Sequence, residues 1–162
     1  MLSASDAKSR NLSAAIYGLI VAGSIIAAAD PRSGERSIVT AALVVMSLVI
    51  FWLAHVYSNE LGAWSEHGVT PTWASWKREL GRQWPMVGAG TTPVLILACG
   101  GFNFVSDAFA VNLALFVCTA ELGLAAFFAA RRGGAGIRVS VISAAVAVAF
   151  GLALILLKTL LH

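Results

Sequence analysis

Glu121 is the residue whose position most invites chemistry. It stands in Cys118-Thr119-Ala120-Glu121-Leu122-Gly123, with no other charged residue within nine positions on either side. A carboxyl in so apolar a run can hold a cation or relay a proton. His55, in the run FWLAHVYSN, adds an imidazole suited to the same traffic. Tyr17, Thr91 and Thr92 bring hydroxyls into other apolar stretches. Each has a plainer reading beside it. Glu121 can simply hydrogen-bond a neighbouring helix, His55 can pack near the end of its run, and Ser and Thr in apolar helices commonly bond back to their own backbone.

Other chemistries lack their residues. Gly88-Ala89-Gly90-Thr91-Thr92-Pro93 begins like a dinucleotide fingerprint but has Pro where the third Gly belongs, and no strand precedes it. No lysine follows a phosphate-loop spacing, and His55, His67 and His162 do not recur at metal-ligand intervals. Nothing resembles a nucleophile elbow. The reading therefore leans away from an enzyme, and cofactor and metal stay unassigned. Cys99 and Cys118 each sit alone in an apolar run, where thiols act as small hydrophobes.

The elements that must position these groups follow from composition. Hydrophobic residues make up 59% of the 162 and charged residues 12%, against roughly 25% charged in an ordinary soluble domain. A single domain of this length has no core large enough for that excess, so apolar surface must face lipid. The formal charge of +3 is spread among loops, too diffuse for a nucleic-acid face. The expected fold is all-α: a polytopic integral membrane protein, one transmembrane domain over residues 1–162. Five spans are expected, at about 12–29, 38–58, 85–102, 108–130 and 139–161, each near the roughly 20 helical residues a bilayer core requires. The first run looks like a signal peptide but is longer than the usual apolar region, and Asp30-Pro31 closes it as a helix stop.

Five spans place Lys8, Arg10, Lys77, Arg78, Arg82, Arg131, Arg132 and Arg138 on one side, and only Arg32, Arg36 and Lys158 on the other. Basic loops stay in the cytoplasm, so the N-terminus is expected inside and the C-terminus outside. Between the second and third spans, residues 71–84 read as a short interfacial amphipathic helix, with Thr70-Pro71 as its start. Trp73, Trp76, Leu80 and Trp84 share one face of it. Tryptophan toward the headgroups with Arg78 and Arg82 turned away is the pattern of a helix in contact with membrane lipids. The FWLAHVY run resembles runs in small bacterial membrane proteins, which implies a bacterial inner membrane and assigns no activity.

Counting depth at 1.5 Å per residue puts Tyr17, His55, Thr91, Thr92 and Glu121 all in the cytoplasmic half of the spans. Gly88, Gly90, Pro93, Gly100 and Gly101 interrupt the third span, and broken helices at membrane depth occur where they line a cavity or are buried in protein. The function this points to is a small channel or transporter with a cytoplasm-facing polar site for a cation or proton. Glu121 would bind or relay, His55 would be its partner, and Tyr17, Thr91 and Thr92 would line the way. So small a chain encloses little volume, which makes a homo-oligomer the default. The alternative is a non-catalytic scaffold or regulatory subunit, holding a membrane-protein partner through its helix faces and Trp-rich loop.

Overall fold

The computed structural model describes residues 4–30, 36–68 and 70–161. They form six helices: α1 (Ala4–Ala28), α2 (Ser37–His67), α3 (Trp73–Gly88), α4 (Thr91–Gly101), α5 (Asp107–Arg132) and α6 (Ile137–Leu161). There is no strand among the described residues. Three helices, over Ser37–Glu66, Asp107–Arg132 and Ile137–Leu160, are long and apolar enough to cross a membrane, and Leu12–Ala28 and Thr91–Gly101 are shorter apolar helices. Pro31, the expected stop after the first run, lies outside the described residues, as do Arg32 and His162.

The helices pack in sequence as an up-and-down bundle, and their caps explain where they begin. Ser106 accepts a hydrogen bond from the Phe109 N–H and so starts α5, with Asp107 in the first turn and Arg131 and Arg132 in the last, the polarity that suits a helix dipole. The start of α2 has no local cap, since Arg36 makes no side-chain cap bond. Asp107 supplies it from α5 instead: its Oδ1 accepts from the Ser37 backbone N–H at 2.8 Å and from the Ser37 hydroxyl. Arg36 donates to the carbonyl of Gly101 at 3.0 Å. This end of the bundle thus ties α2, α4 and α5 together through the side chains of Arg36, Ser37 and Asp107.

Two boundaries differ from the expected ones. The second helix continues well past residue 58 to His67, where Gly68 closes it in the left-handed region (φ 66°) with its N–H on the Trp64 carbonyl. The loop helix begins at Trp73, two residues later than Pro71 suggests. Thr72 caps it in a reciprocal box with Ser75, and that pairing decides the start.

The larger difference concerns the third span. The segment expected at 85–102 and the interfacial helix expected at 71–84 are divided elsewhere: α3 runs through Pro85 to Gly88, the chain turns at Ala89 and Gly90, and α4 follows. Pro93 is not the break. It sits in the first turn of α4, where a missing N–H removes nothing the helix would use. The last turns of α3 run beside α2: the Trp52 indole N–H donates to the Leu80 carbonyl at 3.1 Å, and Trp84 meets Trp52 edge-on at 5.4 Å. On its other side α3 touches α1 so closely that a Cβ on Gly18 would collide with the Met86 carbonyl. Helices α3 and α4 together are therefore one long element, antiparallel to α2 and broken once. The fully buried Leu48 packs against Gly90 at the break.

The core lies between α1, α2, α4 and α5, with Ala22, Ile26, Val44, Leu48, Leu97, Val111 and Ala114 almost wholly buried. Helix α6 joins through small residues: a Cβ on Gly151 would overlap the side chain of Thr119, and one on Gly123 would meet Val148. Cys118 is buried and its thiol donates to the Leu19 carbonyl, while Cys99 is exposed; neither is in a disulfide.

Candidate functional site

At the end of the bundle away from Ser37 and Asp107, α1, α2 and α3 enclose a polar pocket of about 500 Å3. It is lined by Ser13, Ala14, Tyr17, His55, Asn59, Arg82 and Gln83. Helical spacing explains the set. Ser13 and Tyr17 are one turn apart on α1, His55 and Asn59 are one turn apart on α2, and Arg82 and Gln83 are adjacent on α3. Gly18, next to Tyr17, lets α1 lie against α3 at Met86, and the Trp52–Leu80 hydrogen bond holds α3 to α2 one turn before His55.

Tyr17 and His55 are in ring contact, with centroids 5.2 Å apart and planes tilted by 45°. Tyr17 also meets Phe51 edge-on at 6.2 Å, which fixes the phenol between two successive turns of α2. His55 is half-buried.

Behind Asn59, Arg82 and Gln83 stands Glu79, 7% exposed. Its Oε1 accepts from Arg82 Nη2 at 2.6 Å, Asn59 Nδ2 at 2.8 Å and Gln83 Nε2 at 3.0 Å. Burial acts to raise the Glu79 pKa, but these hydrogen bonds and the Arg82 charge outweigh it and hold the carboxyl below its ordinary value. The carboxylate is thus already matched, and it orders three of the pocket's side chains from behind. Arg82 retains a donor: its Nε is buried and has no hydrogen-bond partner.

The structure brings together two of the residues expected to act, Tyr17 and His55, and places three elsewhere. Thr91 and Thr92 are exposed in the first turn of α4 and do not line the pocket. Glu121 does not line it either. It is half-buried on α5 and makes no hydrogen bond or ion pair among the described residues. Of the three tryptophans expected at the interface, Trp73 and Trp84 are 71% and 56% exposed. Trp76 is half-buried and tilted against Tyr57 at 6.4 Å, and Lys77 stands 5.5 Å over the Trp73 ring.

Asn59, Glu79, Arg82 and Gln83 escaped the sequence reading. Arg82, which with Arg78 turns away from the Trp face in the sequence pattern, pairs with Glu79 three positions before it. The signal was present as Glu79-x-x-Arg82-Gln83, an acid with donors three and four positions later on one helix face. Among the described residues no group of three or more His, Cys, Asp or Glu could hold a metal ion. Comparison with known protein families, with curated proteins and with solved structures gives no match for this chain.

Proposed function

We propose that this chain is an integral protein of the bacterial inner membrane that crosses the bilayer five times and works as a small channel or transporter, its cytoplasm-facing site being the pocket around Tyr17 and His55. The observation that carries the reading is the contact between those two rings on the wall of a polar pocket, in a bundle whose long helices are otherwise apolar. Lengths support the crossings. From Ser37 to His55 is about 27 Å along α2, close to the roughly 30 Å of a bilayer core. That puts the pocket at one boundary and the Asp107 cap at the other. Helix α4 alone is too short to cross, at about 16 Å, but the last turns of α3 extend it to the level of the pocket. The eight-to-three division of basic residues supports a cytoplasmic pocket end.

Glu121 fits the same proposal on a different footing. A half-buried carboxyl in an apolar span with no partner of its own calls for one from outside, and a second copy of the chain would provide it. The homo-oligomer expected from the chain's size then puts Glu121 on the route between copies. The scaffold reading uses the same observation, with another membrane protein covering Glu121. The test is proton flux into vesicles containing the purified protein. His55→Ala and Glu121→Gln should each lower it at least tenfold while the protein still assembles. Flux unchanged in both variants overturns the transport reading and leaves the scaffold.

A further inference from the structure

We infer that the pocket between α1, α2 and α3 binds an oxyanion, a phosphate or carboxylate group, through Arg82, His55 and Tyr17. The inference deepens the proposed site and rests on its placement at the membrane boundary. It turns on which groups of the pocket are already matched. Glu79 is the acid nearest the pocket on α3, and its Oε1 takes donors from Asn59, Arg82 and Gln83. A cation entering here would meet no free carboxylate on the wall, because none of the described lining residues is acidic. It would instead meet the Arg82 guanidinium, which among the described residues pairs with Glu79.

An anion meets the opposite arrangement. Arg82 Nε is buried without a partner, an unfavourable state that an acceptor brought against it by a turn of the side chain would relieve. The guanidinium is held by Glu79 through Nη2, so its remaining donors are presented in a fixed plane, the geometry that suits bidentate oxyanions. Tyr17 and His55, in ring contact with one another, line the same pocket. A volume of about 500 Å3 accommodates a group of headgroup size and is open at one side. Two sources fit this chemistry: the phosphate of an anionic phospholipid, reached sideways from the cytoplasmic leaflet, and a free anion from the cytoplasm.

The test uses the full chain in two settings. In detergent, melting is followed with added inorganic phosphate against sodium chloride of equal ionic strength. In nanodiscs, discs of phosphatidylcholine alone are compared with discs containing phosphatidylglycerol. Binding at about a hundredfold excess over Kd should raise the melting temperature by about 5–10 °C. The shift should vanish in Arg82→Gln and shrink in Tyr17→Phe, a variant that keeps the ring contact and so controls for folding. A shift with free phosphate identifies a soluble anion, and a shift only with the anionic lipid identifies a headgroup. No shift in either setting, or a shift equally large in Arg82→Gln and Tyr17→Phe, overturns the inference. Failure of the chain to enter nanodiscs would count against the membrane reading alone, because the phosphate arm in detergent does not depend on it.

Discussion

Replacing Glu79 by Gln tests whether the pocket is held from behind by one carboxylate. The substitution keeps the size of the side chain and one acceptor oxygen, but it removes the charge that three donors share. Hydrogen bonds to a charged group contribute about 1.5–3 kcal/mol each and neutral ones about 0.5–1.5 kcal/mol; the Arg82 bond keeps its charged donor, so the loss falls on the Asn59 and Gln83 bonds, about 1–1.5 kcal/mol each and about 2–3 kcal/mol together. The Arg82 side chain is 31% exposed and can turn to water when released, which argues for the lower figure. At roughly 2–4 °C per kcal/mol for a chain of this size, the melting temperature in detergent should fall by about 4–8 °C. The pH dependence has a definite sign. Because the folded carboxyl titrates below its ordinary value, its contribution is present above the unfolded pKa and disappears as pH falls through the folded one. The parent and Glu79→Gln should therefore converge in stability on acidification. A variant that melts within about 1 °C of the parent at neutral pH, or a gap that widens in acid, would refute the reasoning.

Three further outcomes are expected. Asp107→Ala removes the acceptor for both the Ser37 N–H and its hydroxyl and should destabilise the bundle by about 1–2 kcal/mol, the usual cost of a lost helix cap; hydrogen exchange at the first turn of α2 should rise, and an unchanged rate there would show that the cross-helix cap is idle. Gly18→Ala places a methyl against the Met86 carbonyl and should push α1 from α3 at a cost of about 1–3 kcal/mol, read as a fall in melting temperature, and an unchanged melting temperature would show that the close approach is not required. A reporter fused after α6 should be active only outside the cytoplasm, and a cytoplasmic reporter would sink the five-crossing topology.

Hydrophobic runs made most of the helices legible. The boundaries expected at 108–130 and 139–161 lie within two residues of α5 and α6, because Ser106, Gly133 and the basic last turn are local signals of where a helix starts and stops. The third span was less legible for a reason that is also local. The break falls at the glycines, between Gly88 and Thr91, where a side chain on Gly90 would overlap Leu48, whereas Pro93 in the first turn of α4 breaks nothing. Trp73, Trp76 and Trp84 point to an interfacial helix, and what the sequence does not show is that the same helix packs on α2 and α1 through Trp52, Asn59 and Met86. Those contacts join residues 20 or more positions apart, so no periodicity within α3 reports them. The same holds for Asp107 capping α2 from 70 positions away.

The depth count brought Tyr17, His55 and Glu121 to similar heights, but height is one coordinate of three. Direction around α1 supplies another. At about 100° per residue, Leu19 and Gly23 lie roughly 120–160° around the helix from Tyr17. Those are the positions that meet α5: the Cys118 thiol donates to the Leu19 carbonyl and its sulfur lies against Gly23. Tyr17 faces α2 at Phe51 and His55. Helix α1 therefore stands between the pocket and Glu121, one turn beyond Cys118 on α5. A proton passing directly from His55 to Glu121 within one copy would have to go through or around that helix. The proposed transport accordingly divides into two parts, an oxyanion-binding pocket on one side of α1 and a carboxyl on the other that waits for a neighbouring chain. If both parts serve one process, Glu121→Gln should impair flux without altering the phosphate- or lipid-induced rise in melting temperature, and Arg82→Gln should abolish that rise. Loss of the rise in Glu121→Gln would instead mean that the two sides of α1 are coupled through the helix itself.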